Sequence, residues 1–151
     1  MLWFRIIHFQ LLELDRVLKT LNQGKQDDLS REIKIVAYDT QWPKIYQTES
    51  ICSIISLVNY KIKIEHIGST SVPGLASKPK IDIGVAISNF KKISSIIKKL
   101  ENIDYKYVTE HEAVLTDRYY FRKKNNIHVF NLHVVKIDSK IWYDFLLFRD
   151  Y

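Results

Sequence analysis

Between Tyr60 and Ile87 the chain alternates apolar and polar side chains twice, with a loop of glycines, prolines and hydroxyls between the two runs. The first run, Tyr60 to Ile67 (YKIKIEHI), has the two-residue period of a half-buried strand. The second, Lys80 to Ile87, is apolar at Ile81, Ile83, Val85 and Ile87 and reads as another. Residues 68–79, GSTSVPGLASKP, can extend neither strand, because Pro73 and Pro79 lack the N–H a ladder needs. Two strands joined this way commit the chain to a sheet.

The flanking segments extend that sheet. Ile33 to Ala37 reads as a strand, and Trp42-Pro43 opens a helix running to about Val58, with Pro43 in the first turn where its missing N–H costs nothing. Asn89 is placed to cap a lysine-rich helix whose Phe90, Ile93, Ile96, Ile97 and Leu100 face inward. Tyr105 to Val108, Arg118 to Lys123 and Ile127 to Ile137 read as three more strands, and Asp138 or Ser139 caps a last helix from Lys140 to Tyr151. Trp142, Phe145, Leu146 and Phe148 form its expected core stripe. Strands that alternate with helices early and cluster late predict an α/β (α+β) class, with a mixed, largely antiparallel sheet and helices mainly on one side.

The N-terminus stands apart. Phe4, Ile7, Leu11, Leu14, Val17, Leu18 and Leu21 recur at three- and four-residue steps, which predicts an amphipathic helix. Arg5, Glu13, Asp15 and Arg16 interrupt it long before the ~20 apolar residues of a membrane span. Asn22 to Arg31 is polar and aperiodic and reads as a linker, so the chain divides into residues 1–31 and a domain of residues 32–151. At 46% hydrophobic and 26% charged residues, the chain as a whole has the composition of a globular protein and not of a disordered one. Cys52 is the single cysteine, so no internal disulfide can form, which fits a cytoplasmic location. The net charge of +6 suits either a polyanionic partner or simple solubility.

The chemistry concentrates in the loop. A Gly-Ser pair directly after a strand lets the backbone approach a phosphate, with N–H groups and the hydroxyls of Ser69 and Thr70 as donors. Asp82, on the next strand, is placed to hold a divalent ion bridging to that phosphate, and Lys78 adds a cation between them. The competing reading is a surface loop with turn-forming glycines and solvated serines. His66 and His133 are candidate metal ligands with Asp82, or else hydrogen-bonding anchors for the loop. Arg118, Tyr120 and Arg122 share one strand face, with Tyr119 and Phe121 on the other; the arginines suit a phosphate, or equally an ordinary solvated face. Lys91, Lys92, Lys98 and Lys99 read as the wet side of an amphipathic helix rather than as an RNA track, so no nucleic-acid partner is expected.

The stretch Glu65-His66-Ile67-Gly68-Ser69-Thr70-Ser71-Val72-Pro73-Gly74-Leu75-Ala76-Ser77-Lys78-Pro79-Lys80-Ile81-Asp82-Ile83 closely resembles the signature of the GrpB family. The likeness extends through Val36 to Pro43, Arg118 to Lys123, Asn131 to Val135 and Leu146 to Tyr151. It implies a branch of the polymerase-beta-type nucleotidyltransferases, whose members use a Gly-Ser turn for the triphosphate and three carboxylates for two metals. By that resemblance Gly68, Ser69, Thr70, Lys78, Arg118 and Arg122 bind phosphate or nucleotide. From the residues themselves, Asp82 and His133 are the expected catalytic groups, and Asp82 with His66 or His133 is expected to hold a single divalent ion, Mg²⁺ or Mn²⁺. Glu110 is a further carboxylate of the pattern.

Two departures matter: Gly84 stands where the second carboxylate belongs, and Asn131 replaces the first histidine of a His-Leu-His pattern. The expected function is binding of a nucleotide or other phosphorylated small molecule, with metal-dependent nucleotidyl transfer as the active form. The alternative is a non-catalytic binding or interaction module with decayed carboxylates. The resemblance also makes residues 1–31 an addition and the C-terminus short, which predicts that the N-terminal helix covers apolar surface in its own chain or in a homodimer.

Overall fold

A computed structural model of the chain describes residues 34–109 and 117–151. The expected N-terminal helix, its linker and Glu110 lie outside those residues. Helix α1 (Trp42–Ser56) leads into β1 (Ile62–Ile67), a single 3₁₀ turn (Ser69–Ser71) and β2 (Lys80–Ile87). Helix α2 (Ile93–Glu101) follows, then β3 (Lys106–Tyr107), β4 (Arg118–Lys124), β5 (Val129–Lys136) and α3 (Lys140–Asp150). The strands form one sheet in the order β1-β2-β5-β4-β3. Strand β2 runs parallel to β5, and the other three pairings are antiparallel. The α+β class and the mixed sheet read from the sequence are those observed.

The period-two pattern decides the two faces. Ile81, Ile83, Val85 and Ile87 of β2, Phe130, Leu132 and Val134 of β5 and Phe121 of β4 point to one side. There they meet Trp42 of α1, Leu57, and Ile96 and Leu100 of α2 to form the main core. Both helices cover this face, and α3 covers part of the other, where Trp142 packs on Ala86 and Val135. The Ser139 side chain caps α3 by accepting from the amide of Trp142. Among the described residues no helix is long and apolar enough to cross a membrane.

Three local expectations need correction. The strand read at Ile33–Ala37 is, within the described residues, a single bridge between Val36 and Ser77. Pro79, two residues beyond Ser77, has no N–H with which to extend it. Asn89 does not cap α2; its side-chain oxygen accepts from the amide of Lys91 in a turn, and the helix begins at Ile93. Phe148 is 58% exposed and not core. At about 100° per residue it lies turned roughly 120° from Trp142, at the edge of the packed stripe.

Helix α1 is turned against its composition. It buries Trp42, Glu49, Ser50 and Ser53 and exposes Ile51, Ile54 and Ile55. The buried face packs Trp42, Ile45 and Tyr46 on the main core, and Glu49 on the same face is held by Lys123 Nζ, from which its carboxylate accepts at 3.0 and 3.3 Å.

Candidate functional site

The face opposite the main core carries the polar residues, and the pairing register fixes their neighbours. Asp82 of β2 lies opposite Asn131 of β5, and Gly84 opposite His133. On the far side of β5, Arg122 of β4 faces Asn131 and Tyr120 faces His133. Direct cross-strand partners share a face. Three strands therefore bring Asp82, Asn131, His133, Tyr120 and Arg122 onto one wall, with Arg118 two residues from Tyr120 on the same side.

These side chains form a continuous chain of contacts. Arg122 donates to the Tyr120 hydroxyl at 3.1 Å, and that hydroxyl donates to Asn131 Oδ1 at 2.7 Å. Asn131 Nδ2 in turn donates to Asp82 Oδ1 at 2.8 Å. His133 Nε2 lies 3.6 Å from the same oxygen, with its ring between those of Tyr120 and Phe145. Burial pushes the Tyr120 phenol up from its ordinary value, so it keeps the proton it donates. The guanidinium carbons of Arg118 and Arg122 lie 5.9 and 5.8 Å from the centre of the Tyr120 ring. Burial lowers the Arg118 pKa from the usual arginine value, and Tyr120 and Asp82 pull it back up. It stays charged. Its Nε is buried and, among the described residues, has no hydrogen-bond partner.

Gly68 closes the wall at the end of β1. Its φ of 72° and ψ of −175° belong to a region open only to glycine. A Cβ there would meet Asp82 Oδ2 at 2.6 Å. Glycine thus lets the Asp82 carboxylate lie directly over the backbone of the turn, beside Ser69. Among the described residues no hydrogen bond or ion pair joins Lys78 to this set.

His66 and Thr70 fall elsewhere. His66 pairs across from Ile83, a core position, so β1 turns it to the face away from Asp82 and His133. Its ring stacks on Tyr46 of α1 at 4.7 Å, and Nε2 lies 3.1 Å from the Thr70 hydroxyl. Thr70 gives its one proton to the carbonyl of Lys80 at 3.1 Å, so His66 Nε2 must be the donor in that contact. The pair braces the loop, and the register leaves His66 off the wall where the sequence put it as a metal ligand with Asp82.

Burial, against the weaker pull of Asp82, lowers the His66 pKa to about 4. An unfolded histidine titrates near 6.5. Between those values the unfolded chain takes up a proton the folded one excludes, so stability is whole above the upper value and falls as pH drops toward the lower. Urea unfolding at pH 7 and pH 5 should show this loss, and His66→Gln should remove that part of the slope.

Sequence reasoning missed two residues. Tyr120 links the arginines to Asn131, and its alternation with Arg118 and Arg122 was the only signal. Trp142 explains Gly84: a Cβ at residue 84 would lie 3.1 Å from the Trp142 ring and 3.2 Å from Ile67. The space for a second carboxylate is filled by indole. Glu65 lies opposite Gly84 on the same face, but Arg149 Nη1 holds its carboxylate at 2.7 Å. Among the described residues no cluster of three His, Cys, Asp or Glu side chains is placed to hold a metal. Among the described residues Asp82 is the one carboxylate of this wall not engaged by an arginine, and with an amide donor aimed at it these residues do not fit a two-metal centre.

The fold is nucleotidyltransferase-like. It matches the structure of Cid1 in complex with the UTP analog UMPNPP with a TM-score of 0.51 at 12% identity, over 78% of this chain and 37% of that one. The chain belongs to the GrpB family, whose model, described as GrpB protein, matches residues 32–151. The crystal structure of conserved protein GrpB from Enterococcus faecalis is similar with a TM-score of 0.68 and 32% identity, over 78% of this chain and 71% of that one. UPF0157 protein BH1888 of Halalkalibacterium halodurans is 30% identical over 139 residues, which is 91% of this chain and 69% of the relative. The chain spans 35% and 61% of the length of two further relatives.

Proposed function

We propose that this domain binds a nucleotide or other phosphorylated small molecule on the polar wall of its sheet. Gly68 and Ser69 form the close-approach turn, and Arg118 and Arg122 neutralise the anion. The observation that carries this reading is the juxtaposition of a glycine-only turn with Asp82, Asn131, Tyr120 and Arg122, joined by hydrogen bonds across three strands. The nucleotidyltransferase-like fold supports it, since Cid1 was seen with a UTP analog. A second reading, nucleotidyl transfer with Asp82 and His133 as the catalytic pair, draws on the position of the Asp82 carboxylate over the turn.

Calorimetric titration with the four ribonucleoside triphosphates, together with an assay for released pyrophosphate, tests both. Binding without pyrophosphate release is the expected result. Gly68→Ala, which forces a Cβ against Asp82, should weaken that binding at least about tenfold, in line with about 1–3 kcal/mol of backbone strain. No binding by any triphosphate would refute the proposal, and sustained pyrophosphate release lost in Asp82→Ala would establish the second reading instead.

A further inference from the structure

We infer that the polar wall grips its phosphate directly through Arg118 and Arg122, without a divalent ion bridging the phosphate to Asp82. This rests on the phosphate-binding reading above and adds how the charge is met. Magnesium demands a near-octahedral set of oxygens, and the described residues of this wall turn their surroundings against one. Oδ1 of Asp82 already accepts from the Asn131 amide at 2.8 Å and faces His133 Nε2 at 3.6 Å. A donor aimed at that oxygen occupies one of its two lone-pair sites, and the histidine facing it narrows the room left for a hydrated cation. Oδ2 lies against the backbone of Gly68. The next carboxylate position is Gly84, backed by the Trp142 ring, and Glu65 is taken by Arg149.

Positive charge, by contrast, is ready for use. Arg118 and Arg122 flank the Tyr120 ring on the same strand face, and they outnumber Asp82. Arg122 gives one N–H to the Tyr120 hydroxyl, and the Arg118 Nε–H has no acceptor among the described residues. A guanidinium carries five N–H donors, and bidentate phosphate binding uses two. Each arginine thus keeps a fork for an incoming anion, and at Arg118 burial has already removed part of the competing water.

The test is calorimetric titration of the full chain with sodium pyrophosphate, once in excess EDTA and once in excess Mg²⁺. Affinity in EDTA should equal or exceed that in Mg²⁺, because the metal neutralises the ligand. Arg118→Gln and Arg122→Gln should each weaken binding in EDTA at least about tenfold, the loss of a charge-assisted hydrogen bond. Arg122 is exposed, so its variant keeps the fold, and thermal unfolding checks the other. Asp82→Asn should tighten binding about two- to fivefold, since it removes a repelling charge and leaves an oxygen for Asn131. Binding that needs Mg²⁺ and vanishes in Asp82→Asn would overturn this inference while leaving the phosphate site standing. Binding unmoved by either arginine variant would overturn it as well. No binding in either buffer would overturn both.

Discussion

Lys123→Leu should lower the stability of the domain by about 3–5 kcal/mol, the cost of leaving one partner of a buried ion pair without the other. Glu49 and Lys123 side chains are only 9% and 15% exposed, and both carboxylate oxygens accept from the ammonium. The ammonium also lies 5.5 Å from the Tyr105 ring, so the leucine forfeits a cation–π contact too. Urea unfolding followed by circular dichroism measures the loss. The double replacement Glu49→Leu with Lys123→Leu should recover most of it, because exchanging a buried pair for apolar groups is close to neutral. A single Lys123→Leu that unfolds at the parent's urea midpoint would mean the pair is hydrated and contributes little.

Trp142→Ala should cost about as much, 3–5 kcal/mol, for a different reason: a large buried ring is removed and a cavity opens. Trp142 is 3% exposed and sits against Ala86, Val135 and the bare backbone of Gly84. The two positions are complementary, so their variants should not add. Gly84→Ala alone forces its Cβ to 3.1 Å from the indole and should be destabilising by about 1–3 kcal/mol. In the Trp142→Ala background the same methyl is relieved of the ring and has only the Ile67 side chain beside it, so it should be close to neutral. Additive losses would show that Gly84 answers to something other than the ring, such as Ile67 beside it.

Most of the fold was legible because its strands advertise their faces. The alternation in Ile81, Ile83, Val85 and Ile87 is enough to place Asp82 on the opposite side, and the split of Tyr119 and Phe121 from Arg118, Tyr120 and Arg122 does the same for β4. The candidate wall follows once β2, β5 and β4 are neighbours, yet no local pattern says that they are. His66 was misplaced for a related reason. Its closeness to Gly68 in the chain suggested the same site, while the two-residue period of β1 sends it to the core side. The inverted burial of α1 was hidden as well, because Lys123, which holds Glu49 on the inward face, lies far along the chain. Gly84 read as a missing ligand, and only the packing of α3 shows it to be room made for an indole.

The Asn131 amide that steadies Asp82 reaches across 49 positions of sequence, through the parallel pairing of β2 with β5. No excised hairpin or helix of this chain holds both ends of that bridge. Occupancy of the wall would therefore register completed folding, and any molecule that settles there must raise the melting temperature of the whole sheet at once.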